Sequence, residues 1–125
     1  MTDPLASAAR MRLENLLSAM ESAERVIIAL LAREREALRA DCQLAANAVH
    51  IRVNDAARLY LNAIAAAKAS LSALEPVLPE APQVLENRRT TFGAILRIEL
   101  ATLAAIRMDA DSTDDDRAEP IAFAV

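Results

Sequence analysis

The sequence predicts an all-α protein, built as a long antiparallel helical hairpin, a third amphipathic helix and a disordered acidic C-terminal tail. Alanine supplies 29 of the 125 residues and Gly93 is the only glycine, so the chain lacks the residues that tight β-turns require. Alanine, leucine, glutamate and arginine are strong helix formers, and the apolar residues recur with helical spacing. We therefore predict one helical domain over residues 1–108 and a tail over residues 109–125.

The first helix is predicted to begin at Asp3-Pro4 and to run to about Ala40. Asp3 is a favourable N-cap residue, and a proline at the first helical position loses no hydrogen bond. Along this helix one apolar stripe covers an arc of about 120°. It consists of Leu13, Leu16, Leu17, Met20, Ile27, Ile28, Leu31 and Leu38.

The second helix is predicted to run from Cys42 to about Leu74. Asp41 is the best candidate for a break, since aspartate caps the helix that follows it, but a tight turn and an uninterrupted helix both fit the sequence. Small residues dominate the stripe of this helix, so it would pack closely against the leucines of the first, in a hairpin roughly 50 Å long. The stripe consists of Ala45, Val49, Val53, Ala56, Tyr60, Ala63, Ile64, Ala67, Leu71 and Leu74.

Three prolines, Pro76, Pro79 and Pro82, are predicted to end the second helix and to hold the link extended. The third helix would begin at Pro82 or Gln83 and end at Met108. Its apolar face comprises Leu85, Phe92, Ile95, Leu96, Leu100, Leu103 and Ile106. Residues 109–125 carry a net charge of −5 against +1 for the rest of the chain, and they lose the helical periodicity. This composition predicts a disordered tail.

The composition also argues against several classes of function. Neither part of the chain offers the basic stripe that nucleic-acid binding requires. The start of the chain shows no secretory signal, and its uncharged runs of about ten residues are shorter than a membrane span, so we expect a cytoplasmic protein without a transmembrane segment. Cys42 is the only cysteine, which excludes an internal disulfide and a multi-cysteine metal site.

Three single residues were considered as sites. His50 is the only histidine, and Asn47 stands where a di-iron bundle motif needs glutamate, so we expect a partly exposed histidine beside the apolar stripe and no metal or cofactor. Cys42 is expected to be a half-buried filler in the first turn of the second helix, with a redox thiol as the alternative. Gly93 lies within the third helix, where it would admit a close approach by a neighbouring helix or a ligand.

Two glutamates, Glu24 and Glu99, fall on predicted apolar stripes. A carboxylate on such a stripe must be paired or hydrated, so we expect each to pair within the chain or to meet a polar group of a partner. Without a nucleophile or pocket-forming loops near them, we predict that the protein is not an enzyme. The expected internal partners are Arg88, Arg89, Lys68 and Arg107.

Residues 30–41, LLAREREALRAD, followed by residues 68–74, KASLSAL, resemble the FlgN-type flagellar export chaperones. The resemblance spans about residues 10–75. It implies a small cytoplasmic helical protein that binds an amphipathic helix of hook–filament junction subunits and keeps them unassembled before type III export. The client surface that it implies lies on the third helix and comprises Phe92, Ile95, Leu96, Glu99, Leu100, Leu103 and Ile106.

Two other classes of function fit the same sequence. Alanine-rich amphipathic helices also suit a surface-coating protein, such as a phasin or a peripheral membrane protein, although interfacial helices carry more lysine and arginine than the second helix does. A structural protein that forms homo-oligomers through its apolar stripes is the third reading.

Overall fold

The computed structural model describes residues 3–124, with side chains described for residues 3–109. Over this range the chain forms three helices and no strand, which confirms the predicted all-α fold. The helices are α1 (Pro4–Arg39), α2 (Gln43–Leu74) and α3 (Ala81–Ala124). They run up, down and up, so α1 and α2 form the predicted antiparallel hairpin and α3 lies parallel to α1.

The start of α1 follows the prediction. The Asp3 side chain accepts a hydrogen bond from the backbone N–H of Leu5 at 3.1 Å, and Pro4 occupies the first turn, where its missing N–H has no partner to lose. The cap fixes where the helix begins, because the first four backbone N–H groups of a helix have no acceptor within the helix.

The turn between α1 and α2 confirms the predicted break and corrects the role of Asp41. This residue has a left-handed φ of 57° and follows the end of α1, so it does not cap α2. Cys42 N–H donates to Ala37 O at 2.9 Å and Asp41 N–H donates to Leu38 O at 3.1 Å. These two bonds form a Schellman motif, in which aspartate takes the place usually held by glycine.

The link between α2 and α3 is compact, not extended as predicted. The backbone N–H groups of Val77 and Leu78 both donate to Leu74 O, at 3.1 and 2.7 Å, so the chain turns despite its prolines. Leu78 is buried with 3% of its surface exposed. The apolar contact of Leu78 with the bundle therefore outweighs the extended preference of the neighbouring prolines.

The third helix starts at Ala81, one residue before the predicted range, and its bounds extend beyond the predicted end at Met108 to Ala124. The disorder that the sequence predicts for residues 109–125 concerns a stretch whose side chains, apart from Asp109, lie outside those described. It stays a prediction.

The contact between α1 and α2 is the largest in the bundle, and it pairs large side chains of α1 with small ones of α2 as predicted. Ile27 and Leu31 of α1 pack in one cluster with Ala56 of α2. The predicted stripe of α2 is buried or half-buried except at its first residue, since Ala45 is exposed and its neighbour Ala46 is fully buried.

The bundle has two apolar clusters along its length. The cluster nearer the α1–α2 turn joins all three helices and includes Leu38, Tyr60 and Leu103. The other lies near the α2–α3 link and includes Leu13 and Leu85. The same face of α1 also buries two carboxylates, Glu24 and Glu34, which need polar partners.

Candidate binding surfaces

The surface that the resemblance implies for a client lies largely inside the bundle. Phe92 and Leu103 keep only 4% and 5% of their surface exposed, and Leu96 and Ile106 pack against the same cluster. The Phe92 ring contacts the ring of Tyr60 on α2, with centroids 4.8 Å apart and planes tilted by 58°. While α3 is docked, the hairpin covers nearly all of the surface of Phe92 and Leu103, although Phe92 and Ile95 help to line an open groove between α1 and α3.

The remaining members of that set lie at the edges of the α3 contact. Ile95 and Leu100 are 45% and 47% exposed, on opposite edges of the buried face. Glu99 is partly buried and forms an ion pair across to α1. The seven residues therefore mark where α3 meets the hairpin, and only two of them present substantial apolar surface to solvent.

Both flagged glutamates form internal ion pairs, which confirms that part of the prediction. Glu24 accepts from Arg88 Nε at 2.9 and 3.2 Å and also from Arg88 Nη2, a bidentate pair with a partner that the sequence analysis named. This hydrogen bonding to Glu24 raises the pKa of Arg88 above its ordinary value. Glu99 accepts from Arg35 Nη1 at 2.7 Å, a partner that was not foreseen.

A third buried carboxylate, Glu34, joins all three helices and was missed. Its side chain is 1% exposed. Arg107 Nη2 on α3 donates to Glu34 Oε1 at 2.8 Å, and His50 Nδ1 on α2 lies 2.8 Å from the same oxygen. His50 is 53% exposed beside the apolar stripe, as predicted. Two helices thus converge on one carboxylate of α1, which stabilises the charge at this point.

The expectation for Cys42 was wrong, and so was the neighbouring helix expected at Gly93. Cys42 is exposed, not half-buried, because the turn places it at the N-cap of α2 outside the apolar stripe. Gly93 faces open space, since a Cβ built on it would meet nothing within 4 Å among the described atoms. Neither a neighbouring helix nor a close backbone contact therefore requires glycine at this position.

The described residues line a small, partly enclosed cavity and several wider, open grooves. The cavity between α2 and α3 that Lys68 and Arg89 line has a volume of about 70 Å³, well below the several hundred Å³ typical of small-molecule sites. Among the described side chains, no three histidine, cysteine, aspartate or glutamate residues are placed to hold a metal ion. Over the same residues, no helix has the length and apolar character needed to cross a bilayer.

An open apolar groove runs between α1 and α2 on the side away from α3. We call it the hairpin groove. Most of its walls are small side chains, while Val26 and Leu59 stand at its rim with 49% and 64% of their surface exposed. The lining residues are Ala19, Ser22, Ala23, Val26, Ala56, Leu59 and Ala63.

The solvent-facing side of α2 is unusually apolar. Only four of its 32 residues are ionised side chains, compared with eleven of the 36 residues of α1. Leu44 and Ile51 point to solvent with 82% and 64% of their surface exposed. A helix that is apolar around most of its circumference is usually covered on more than one side, and this face has no cover among the side chains described for residues 3–109.

The comparisons with known proteins do not identify a family. No family model matches the chain, and no curated protein and no solved structure match it.

Proposed function

We propose that this protein is a cytoplasmic binding protein without catalytic chemistry, which holds an amphipathic helix of a client protein and thereby prevents its premature assembly. The observation that carries the proposal is the open hairpin groove. The FlgN-type resemblance of residues 30–41 and 68–74 supplies the more specific part, in which the clients are hook–filament junction subunits awaiting type III export.

The shape of the groove favours a helix as its occupant. On the opposite side of the hairpin, α3 lies along α1 and places Phe92 and Leu103 between the two hairpin helices. The hairpin groove offers the same two-helix surface without a covering helix. Helices pack at interaxial distances of about 8–10 Å when small side chains allow it, and Ala19, Ala23 and Ala63 provide that clearance.

The chemistry of the groove defines the face of the client. Small walls receive large side chains, so the client helix would present leucine, phenylalanine or methionine at a spacing of three and four residues. Val26 and Leu59 at the rim would then contact the flanks of those side chains. Covering such a stripe on a subunit removes the surface through which it polymerises, and this requires only binding.

This proposal moves the client site from α3 to the hairpin. The FlgN-type resemblance implies a client site on the apolar face of α3, but that face packs against the hairpin and completes the bundle. A client at the hairpin groove needs no movement of α3, whereas a client at Phe92 would first have to displace it. The docked position of α3 therefore supports the groove as the site.

The test compares substitutions that place an aspartate inside the hairpin groove with one that places it outside. Leu59→Asp charges the hairpin groove, and Leu61→Asp is the matched control, because the two leucines are 64% and 62% exposed on the same helix. Val26→Asp charges the groove from α1. The probe is a synthetic peptide of the terminal amphipathic helix of a hook–filament junction subunit from the same genome, with binding followed by fluorescence anisotropy.

We expect the wild type and Leu61→Asp to bind the peptide with equal affinity, and both groove variants to bind at least tenfold more weakly with unchanged helicity. No binding by the wild type would refute the flagellar client. Equal loss in all three variants would refute the groove as the site. Flotation of the wild type with lipid vesicles or polyester granules, lost in the same variants, would favour the surface-coating alternative.

A further inference from the structure

The exposed face of α2 follows a heptad pattern. Starting at Leu44, steps of four and three residues alternate as far as Ser72, and every residue reached is exposed. At about 100° per residue these positions stay within an arc of about 120° along the whole helix. We call this face the α2 seam. It lies away from α1 and α3, beside the hairpin groove.

The two halves of the seam differ in size. The N-terminal half carries the large residues Leu44 and Ile51, while the C-terminal half carries Ala65 and Ala69. Between them lie Asp55 and Arg58, which form no ion pair or hydrogen bond with any other described residue. The seam thus has large residues in one half, small residues in the other and a pair of opposite charges at its centre. It is therefore complementary to the seam of a second copy that runs in the opposite direction.

We propose that the α2 seam joins two copies of this chain in an antiparallel homodimer. A two-fold axis crossing α2 between residues 56 and 57 sets Asp55 of each copy opposite Arg58 of the other, which gives two reciprocal ion pairs. The same axis sets Leu44 opposite Ala69 of the second copy. Self-complementary contact of this kind is what a two-fold interface requires.

The remaining layers agree with this register. Ile51 lies opposite Asn62 of the second copy, and Ala48 lies opposite Ala65. Two heptad positions alternate along the seam, and in each layer a residue at one of them faces a residue at the other position of the second copy. This is the arrangement of an antiparallel coiled coil, in which the side chains interdigitate. Leu44 then meets the small Ala69 of the second copy, as large side chains of α1 meet small ones of α2 within the chain.

The charges argue for a second copy in this orientation over a parallel one. A parallel pair would bring Asp55 against its equivalent and Arg58 against its equivalent, and like charges at the centre of a seam are repulsive. The antiparallel register instead places Asp55 and Arg58 of each copy opposite a residue of the other sign. It also covers the large side chains of Leu44 and Ile51, which are 82% and 64% exposed within the described chain.

The first test is the mass of the full-length protein in solution, measured by sedimentation over micromolar concentrations. We expect twice the chain mass of 13.5 kDa. Asp55→Arg makes the centre of the seam wholly positive and Arg58→Asp makes it wholly negative. For each variant alone we therefore expect a dimer dissociation constant at least tenfold higher than that of the wild type. Glu14→Arg, an equally exposed charge reversal on α1, is the control and should remain dimeric.

Recombining the charges separates the register from a general loss of stability. Mixing the Asp55→Arg and Arg58→Asp variants should restore a 1:1 dimer, and the double exchange in one chain should restore a homodimer. Retained dimers in both single variants would overturn the proposed seam, and a monomeric wild type at several hundred micromolar would overturn the dimer itself.

The orientation is measured with a spin label on Cys42, which is the only cysteine and is exposed at the start of α2. The antiparallel register places Cys42 of one copy near residue 71 of the other, so the two labels should be about 45 Å apart. A distance below about 20 Å would show a parallel pair and refute the register.

Discussion

The carboxylate of Glu34 allows a sharp test of how α3 is held. Glu34 is almost completely buried and accepts hydrogen bonds from Arg107 and His50, whose side chains are 33% and 53% exposed. The free-energy cost of desolvation therefore falls on Glu34 and not on its two partners. Removing a donor and removing the acceptor should consequently have different effects on the free energy of unfolding.

Arg107→Ala leaves the buried charge with a single donor, His50. Because a hydrogen bond to a charged group contributes about 1.5–3 kcal/mol, we expect this variant to lose that much of its free energy of unfolding. Glu34→Leu instead removes the buried charge, and the partly exposed Arg107 and His50 turn to water. We expect it to lie within about 1 kcal/mol of the wild type, since apolar replacements of buried ionic groups are often neutral or stabilising.

The assay is urea denaturation followed by circular dichroism at one protein concentration. Arg97→Ala is the control, because Arg97 is an exposed arginine on the same helix whose only bond is to Gly93 O in its own helix. The double variant Glu34→Leu with Arg107→Ala should resemble Glu34→Leu alone. A larger loss in Glu34→Leu than in Arg107→Ala would refute the reasoning, since it would mean that Glu34 stabilises the bundle through more than its donors.

Other perturbations give equally distinct expectations. Leu31→Ala, at 1% exposure, should cost about 2–5 kcal/mol in a urea melt, while Leu5→Ala, at 70% exposure on the same helix, should cost less than about 0.5 kcal/mol; equal costs would contradict the core. The hydroxyl of Tyr60 is buried without a described hydrogen-bond partner, so Tyr60→Phe should raise the free energy of unfolding by about 1 kcal/mol, and a loss would reveal a partner. Burial, and secondarily the charge of Glu24, raise the pKa of Tyr60. The stabilisation linked to protonation of its hydroxyl is therefore fully present below the ordinary pKa of about 10, and it is lost as the pH rises through the higher pKa of the folded state. Because Tyr60 is the only tyrosine, the phenolate absorbance should appear above pH 10 in the folded protein and at about 10 in urea. Asp41→Gly should stabilise the turn by up to about 1 kcal/mol, since glycine adopts the left-handed conformation without strain, and a lower melting temperature would contradict this.

Helical periodicity was sufficient to predict the hairpin. The leucine stripe of α1, the small residues of α2 and the cap at Asp3 each depend on local spacing, and each lies where the sequence placed it. Asp41 was harder, because aspartate is favourable both at the start of a helix and in the left-handed turn after one. Only the backbone bonds from Asp41 and Cys42 to the end of α1 distinguish the two roles.

The position of α3 and its ion pairs could not be read in the same way. An amphipathic stripe shows that a helix has an apolar face, but it does not say whether that face meets its own chain or another protein. Glu34 and Arg35 were overlooked because they lie in the charged run Arg33 to Glu36, which resembles a solvated surface. The spacing of Glu34 from Leu31 and Leu38 placed it on the buried face and was the signal available.

The parallel arrangement of α1 and α3 has a consequence for the order of folding. Glu24 pairs with Arg88 and Arg35 pairs with Glu99, and in both cases 64 residues of chain separate the partners. Contacts near the α1–α2 turn, such as Glu34 with His50 at a separation of 16 residues, close much shorter loops and therefore form at a lower entropic cost. During synthesis the hairpin emerges from the ribosome before α3, so Glu24 is without Arg88, and Glu34 has His50 but not Arg107, until α3 emerges. We expect the two carboxylates to keep the leucine face of the nascent hairpin partly hydrated, and so to discourage contact with other unfinished chains until α3 closes over it.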